Sequence, residues 1–143
     1  MAKTSDSIHV DLSPEDTFAA ASDLPRFDDW LVLHDGWRGD IPENLGVGTK
    51  ATSVVTVKGA RVRFDWTIDT YDPPKRVRFS GSGKGGVKAK IDLTVKPDGD
   101  GSEVTFVIEL GGLPMIGPAG KAAAKAVHGD VHRSLVRFKN TFC

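Results

Sequence analysis

The chain has 143 residues and carries 19 basic and 19 acidic side chains, so its formal net charge is zero. This length is typical of one domain that buries its own apolar core, and we expect a single domain over residues 1–143. The only cysteine, Cys143, stands at the last position, which excludes a disulfide framework and a thiolate metal cluster within the chain.

The first third of the sequence predicts one strand followed by two helices. Polar and apolar residues alternate over 7–12, as they do in a half-buried strand. Ser13 is a favourable helix cap and Pro14 a favourable first helical residue, so a helix is expected from there to residue 21 or 22. After a break at the next proline, residues 26–31 predict a second, short helix.

The middle of the chain predicts a sheet of antiparallel strands. Alternating apolar residues and turn signals mark five further strands, at 49–58, 61–71, 76–80, 87–95 and 103–110. Strands joined by short turns pair antiparallel, and the alternation places one face of the sheet against a core and the other in water. The covered face is expected to carry four large aromatic side chains, Phe64, Trp66, Phe79 and Phe106.

The C-terminal segment predicts a long amphipathic helix, which completes an α+β fold. Gly117 and Pro118 mark its beginning, and the pattern continues to about Asn140. Its apolar stripe comprises Ala123, Val127, Val131, Ser134, Leu135, Phe138 and Phe142. We expect this stripe to lie across the apolar face of a curved sheet. Because the first half of the helix is rich in alanine, we also expect a space beneath it, and hence a pocket.

The order of these elements resembles the START-like helix-grip fold, also called Bet v 1-like or SRPBCC. The resemblance is carried by residues 13–18 (Ser-Pro-Glu-Asp-Thr-Phe), by 21–30, by the Tyr-Asp-Pro-Pro turn at 71–74, and by the C-terminal helix. That superfamily includes polyketide cyclases/dehydrases, plant pathogenesis-related proteins and lipid-transfer domains. The resemblance implies a curved antiparallel sheet wrapped on the C-terminal helix.

A second group of short segments is similar to small actinobacterial START-like proteins named as toxins of type II toxin–antitoxin pairs. These segments are Lys-Gly at 58–59, Trp-Thr-Ile at 66–68, Gly-Gly-Val-Lys at 85–88, Leu-Gly-Gly at 110–112 and Gly-Pro-Ala-Gly at 117–120. The resemblance implies a growth-inhibiting role that a partner protein, an antitoxin, holds in check. It carries over no catalytic motif.

The candidates for lining an internal cavity come from three parts of the chain. They are Trp30, His34, Trp37, Phe64, Trp66, Phe79, Phe106, Met115, Ala124, His128 and Val131. The first three follow the short helices, where this fold places a cavity mouth, and a tryptophan suits a half-wet rim. Alternatively, the aromatic residues only fill the core and His34 lies on the surface. The loop that contains Met115 is either a gate or a fixed lid.

Neither a metal nor a cofactor is expected. His128 and His132 stand one helical turn apart, but the sequence supplies no evident third ligand. The glycine-rich residues 81–86 join two strands rather than a strand and a helix, so no helix N-terminus is available for a nucleotide phosphate.

Three functions remain open on the sequence: binding of a small, mostly apolar molecule, a toxin that acts through protein interaction, and a polyketide cyclase/dehydrase-like enzyme. An enzyme of that type needs titratable groups inside the pocket. The candidates for such groups are His34, His128, Asp65 and Glu109.

Charge is unevenly distributed, because residues 49–96 hold 11 basic and 4 acidic side chains. The outward strand residues Arg61, Arg63, Arg76, Arg78, Lys88 and Lys90 form a candidate basic face. This face either binds an anionic surface or acidic partner, or only keeps the sheet soluble. Aromatic residues lie on the opposite face, so no nucleic-acid partner is expected.

No targeting or membrane segment is evident in the sequence. The first residues lack the apolar core of a signal peptide, and no apolar run approaches the roughly 20 residues that span a bilayer. We therefore expect a cytoplasmic location.

Overall fold

The computed structural model describes residues 2–57, 59–112 and 117–143. The helices are α1 (Pro14–Ala21), a 3-10 helix (Leu24–Arg26), α2 (Phe27–Trp30) and α3 (Pro118–Phe142). The strands are β1 (Ala2–Val10), β2 (His34–Arg38), β3 (Lys50–Val57), β4 (Ala60–Asp72), β5 (Arg76–Gly83), β6 (Lys88–Asp98) and β7 (Gly101–Gly111).

The seven strands form one antiparallel sheet in the order β1-β7-β6-β5-β4-β3-β2. Strands β3 to β7 are neighbours in sequence, joined by the short turns that the sequence predicts. The first strand pairs instead with the last, and β2 lies at the opposite edge against β3. The segment from α1 to α2 therefore crosses from one edge of the curled sheet to the other.

The predicted start of α1 is confirmed. Ser13 accepts a hydrogen bond from the backbone N–H of Asp16 at 3.1 Å, and Pro14 is the first helical residue. This cap satisfies one of the N–H groups that have no partner inside the first turn.

The long helix covers the concave face of the sheet at its β1–β7 side. Its buried residues are Gly120, Ala123, Val127, Val131, Ser134, Leu135 and Phe138, which include most of the predicted stripe. Facing them, strands β4 to β7 bury the alternating residues that the sequence assigns to the covered face, among them Phe64, Ile68 and Phe106. Among the described helices, none has the length and apolar character needed to cross a bilayer.

Within the described residues, small side chains in the first half of α3 pack toward the sheet where the sequence suggests a space. Ala122 and Ala126 face solvent, while Gly120 and Ala123 are buried toward the sheet. Small side chains let a helix approach its neighbour, because protein interiors pack to crystal-like density. The consequence is a close contact between α3 and β1 rather than a hollow.

A hydrogen bond ties the segment after α2 to the long helix. Ser134 is 1% exposed, and its hydroxyl oxygen accepts from the backbone N–H of Val32 at 2.9 Å. The same hydroxyl donates to the carbonyl of Asp130 at 2.7 Å. Ser134 thereby fixes the position at which the chain leaves α2 and enters β2.

Replacing this hydroxyl should destabilise the fold. We expect Ser134→Ala to lower the free energy of unfolding by about 1–2 kcal/mol, because the Val32 N–H loses its partner in a partly buried position. The matched control is Ser7→Ala, which removes an exposed hydroxyl that contacts Thr105 and should cost less than about 0.5 kcal/mol. Urea unfolding of the two variants measures the difference, and equal costs would contradict this role for Ser134.

Candidate ligand-binding cavity

An apolar cavity lies between the concave face of the sheet and the segment that contains α2 and β2. Its volume is about 30 Å³. The lining residues are Phe27, Trp30, Leu31, Leu33, His34, Trp37, Ser53, Val55, Trp66, Phe79, Ile91, Leu93 and Phe106. Larger depressions exist, such as one of about 580 Å³ beside residues 41–45, but they are open surface clefts with mixed polar lining.

The cavity in this conformation is small. A single water molecule needs roughly 10–15 Å³ on a comparable measure, so there is room for about two. Pockets that enclose drug-sized molecules measure roughly 300–1,000 Å³. Any organic ligand larger than a few atoms therefore requires a wall of the cavity to move.

Edge-to-face aromatic contacts hold Trp30 in place beside the cavity. Its ring lies 5.1 Å from that of Phe138 and 6.5 Å from that of Phe106, with interplanar angles of 76° and 86°. Phe27 packs on another side at 5.7 Å. Such arrangements are favourable for aromatic quadrupoles, and they leave Trp30 with 0% exposure.

The three tryptophans of the chain differ in hydrogen bonding. Trp37 Nε1 donates to the Leu24 carbonyl at 2.8 Å, and Trp66 Nε1 donates to the Ser53 hydroxyl at 2.8 Å. Trp30 Nε1 is buried and has no partner among the described residues. A buried polar atom without a partner is uncommon in native structures and calls for an explanation.

His34 supplies the second unpaired atom. Its side chain is 2% exposed and lies between the rings of Phe27, at 5.9 Å, and Trp37, at 4.8 Å. Within the described part of the chain its Nε2 has no hydrogen bond, although Asp28 Oδ1 lies 3.4 Å away. Burial lowers the pKa of His34, and the negative charges of Asp28 and Asp35 oppose that effect only in part. His34 is therefore neutral at neutral pH.

The structure brings together six of the candidate cavity residues and places four others, Phe64, Ala124, His128 and Val131, outside the lining. Trp30, His34, Trp37, Trp66, Phe79 and Phe106 all line the cavity. Phe64 is buried beside it and stacks on Trp66 at 5.1 Å, but it is not part of the lining.

The α3 candidates lie away from the cavity. No residue of Pro118–Phe142, all of which the structure describes, lines it. Val131 is buried against the sheet and Ala124 is half-buried. His128 is exposed and pairs with the Thr4 hydroxyl at 2.7 Å. Met115 and its loop, residues 113–116, fall outside the described residues.

Seven lining residues were not among the candidates. They are Phe27, Leu31, Leu33, Ser53, Val55, Ile91 and Leu93. Ile91 and Leu93 belong to the alternating face of β6, and Ser53 and Val55 alternate in the same way in β3, so the strand pattern contains the signal for them. Leu31 and Leu33 flank a strand that the sequence does not reveal.

Of the four titratable candidates, only His34 lines the cavity. Asp65 is exposed and accepts a hydrogen bond from Thr52, and Glu109 lies on the same outer face of the sheet. Among the described residues, no group of three histidine, cysteine or carboxylate side chains could hold a metal ion. His132, the second histidine of the helical pair, contacts Asp6 at 2.7 Å.

Three of the six residues of the basic outer face pair with neighbouring carboxylates. Arg76 pairs with Asp92, and Arg78 lies 3.8 Å from Asp69. Arg61 pairs with Asp35 at the β2 edge. These exposed pairs contribute little to stability. They also reduce the positive potential that the strand sequences suggest.

The model of the protein family described as "Polyketide cyclase / dehydrase and lipid transport" matches residues 1–142. The chain belongs to this family. One relative, named "Toxin Rv0910" from Mycobacterium tuberculosis (strain ATCC 25618 / H37Rv), is 44% identical over 142 residues, with 99% of each chain covered. Another from the same strain, "Uncharacterized protein Rv1546", is 43% identical with the same coverage.

Solved structures share the fold at low sequence identity. A START superfamily protein from Mycobacterium smegmatis has a TM-score of 0.78 at 16% identity, with 99% of each chain covered. The protein TTHA0849 from Thermus thermophilus also has a TM-score of 0.78, at 19% identity, covering 96% of this chain and 94% of its own. The expected START-like helix-grip fold is therefore confirmed for this polyketide cyclase/dehydrase family member.

The burial of His34 predicts a specific pH dependence of stability. Because the folded pKa of His34 lies below its usual value of 6.5, its neutral form favours folding above that pH. As the pH falls below 6.5, the unfolded chain takes up a proton that the folded chain resists, and this contribution is lost. We therefore expect the melting temperature of the wild type to fall more between about pH 7.5 and about pH 5.5 than that of His34→Gln.

Hydrogen bonds to Asp98 and Asp11 raise the pKa of His9. Because His9 is present in both proteins, comparing them removes its contribution to the pH dependence. Parallel melting-temperature profiles for the wild type and His34→Gln would contradict this prediction, because they would mean that folding does not change the pKa of His34.

Proposed function

We propose that the protein binds a small, mostly apolar molecule in the cavity between α2–β2 and the concave face of the sheet. The observation that carries the proposal is the pair of buried, unpaired polar atoms, Trp30 Nε1 and His34 Nε2, on residues that line an otherwise apolar cavity. Membership of the polyketide cyclase/dehydrase and lipid transport family supports it.

A bound ligand would supply hydrogen-bond partners for these two buried atoms. Leaving a buried hydrogen-bonding group unpaired costs roughly 1–3 kcal/mol. A molecule that reached these two atoms would recover part of that cost. It would also place its apolar surface against Phe79, Phe106 and Leu93. Both gains favour an apolar molecule with a few polar atoms over a fully polar one.

The β2 wall is the part of the cavity best suited to move. Strand β2 is a short edge strand that pairs only with β3, and its register is irregular between His34 and Trp37. The opposite wall comes from strands β3 to β7, which are bonded on both sides. Displacing β2 outward breaks few backbone hydrogen bonds and enlarges the space between His34 and Ser53.

A pair of adjacent substitutions tests the site. Val55 lines the cavity, whereas Val54, its neighbour in β3, lies on the outer face of the sheet opposite Arg63. Both are 7% exposed. Val55→Phe should fill the cavity and remove most of the bound molecule, at a cost in stability of about 1–3 kcal/mol. Val54→Phe carries the same change in volume and should retain the molecule.

The measurement is native purification from the source organism or a related host, followed by mass spectrometry of the molecules released on denaturation. Circular dichroism checks that both variants fold. The proposal predicts a small molecule in stoichiometric amount with the wild type and with Val54→Phe, and its loss from Val55→Phe. Wild-type protein that carries nothing and takes up nothing from a cell extract would contradict it.

A toxin function is a second candidate, because the relative named "Toxin Rv0910" is 44% identical over nearly the whole chain. Such a function would act through a protein partner or through sequestration of the bound molecule. We expect induced expression in a mycobacterial host to slow growth if this candidate holds. Growth of the wild-type expresser at the rate of an empty-vector control would contradict it. If Val55→Phe no longer slows growth while Val54→Phe still does, the toxicity depends on the cavity.

A further inference from the structure

A second depression lies on the outer face of the sheet, away from the apolar cavity. It crosses strands β2, β3 and β4, reaches the turn after β5, and has a volume of about 510 Å³. Its charged lining residues are Arg38, Arg61, Arg63 and Lys84, and its other lining residues are two valines and a glycine. We call this depression the basic cleft. Its described lining therefore carries four positive charges and no carboxylate.

Most of these cations have no acidic partner. Arg61 pairs with Asp35, but both side chains are exposed, so this pair contributes little and can be exchanged for another carboxylate. Among the described residues, the other three cations of the basic cleft form no ion pair. Asp65, the next outward-facing carboxylate along β4, accepts a hydrogen bond from Thr52 instead. The cleft therefore keeps a positive potential that the rest of the outer face partly loses.

The fold holds two of the cations side by side. The β4–β5 register pairs Phe64 with Gly83, and one residue further on the backbone N–H of Lys84 donates to the Arg63 carbonyl at 3.2 Å. Like charges that lie directly opposite each other across an antiparallel pair are destabilising. Within the described part of the chain, no carboxylate pairs with either side chain to relieve this repulsion. A carboxylate from another molecule, placed between the two cations, would relieve it.

An open cleft of this kind favours a ligand that carries several negative charges. All four cations are exposed, so each ion pair that forms there is weak. A single carboxylate or a small inorganic anion gains too little to be held. Several carboxylates on one chain bind together, because the first contact raises the effective concentration of the others. The distance from β2 to β5 is three strand spacings, roughly 14 Å, which is the length of about four extended residues.

Other anionic partners fit the basic cleft less well. No aromatic side chain lines it, so bases of a nucleic acid have nothing on which to stack. The headgroups of a bilayer form a broad surface that does not follow a concave cleft. A second copy of the chain would offer its acidic first third, but most of those carboxylates lie on helices and strands. Some of them, such as Asp6 and Asp29, already pair with basic side chains.

We propose that the basic cleft is a docking site for an acidic, extended segment of a partner protein, whose carboxylates pair with Arg38, Arg63 and Lys84. Arginine suits this task because its planar guanidinium can donate two parallel hydrogen bonds to one carboxylate. The cleft and the apolar cavity lie on opposite faces of the sheet and share no lining residue. Docking at the cleft therefore holds or fails independently of the proposed binding of a small molecule.

The probe is an octapeptide that alternates glutamate and serine and is blocked at both ends. The same peptide with glutamine in place of glutamate is its control. Nuclear magnetic resonance of the ¹⁵N-labelled protein detects weak binding and locates it. We expect the glutamate peptide to shift the backbone amide signals of Arg38, Arg63 and Lys84, and the glutamine peptide to leave them unchanged. Because the contacts are exposed charge pairs, the affinity should fall several-fold between about 50 mM and about 300 mM salt.

Two double variants separate the basic cleft from the net charge of the protein. Arg63→Glu combined with Lys84→Glu reverses two cations of the cleft and should weaken binding of the glutamate peptide roughly tenfold or more. Lys125→Glu combined with Arg137→Glu makes the same change in charge at exposed positions of α3 and should leave the affinity within about twofold. Circular dichroism checks that both fold, and the amide shifts of the wild type test the location without any variant.

Several results would overturn the proposal. Equal weakening by the two double variants, or amide shifts outside the basic cleft, would mean attraction by net charge alone. Absence of binding at millimolar peptide would also contradict it. Tighter binding at the cleft of a single-stranded DNA oligomer, or of vesicles of phosphatidylcholine and phosphatidylglycerol, would assign the cleft to that class instead. Self-association of the wild type at low salt, abolished by Arg63→Glu with Lys84→Glu, would assign it to a second copy of the chain.

Discussion

The packing of the segment between α2 and β2 against the concave face of the sheet is the constraint on which the rest of the structure depends. Trp30 enters the core between Phe106 and Phe138, and the Ser134 hydroxyl holds the backbone just beyond it. That arrangement closes the curled sheet on the side away from the main contacts of α3. It also buries two polar atoms that have no partner among the described residues, on two residues that line the apolar cavity.

The periodicity of the sequence predicts most of the fold. Alternation in β3 to β7 and the stripe on α3 each depend on residues that repeat with the period of the element, and the structure buries those residues. Strand β2 was not predicted, because His-Asp-Gly-Trp-Arg has no alternation and Gly36 adopts a φ of 111° within it. The first half of β1 was also not predicted. Its inward residues Thr4 and Asp6 are polar and contact His128 and His132 on α3.

The candidate site could be predicted only in part. Tryptophans and phenylalanines in a START-like order indicate an aromatic interior, and six of the candidates line the cavity. The alanine-rich half of α3 predicts a space beneath that helix, whereas no residue of α3 lines the cavity described here, because composition does not show whether a small residue opens a gap or allows a closer approach. Nor does the sequence distinguish Trp30 from Trp37 and Trp66, since only the fold determines which indole N–H finds an acceptor.

The central claim is that the space beside Trp30 opens to hold a molecule larger than water. A crystal structure of the natively purified protein at a resolution that shows ordered solvent tests it most directly. We expect an outward shift of β2 and continuous non-protein density, with an atom of that density within hydrogen-bond distance of Trp30 Nε1. A closed cavity that contains only water, in crystals of protein that was never exposed to denaturant or solvent extraction, would contradict it.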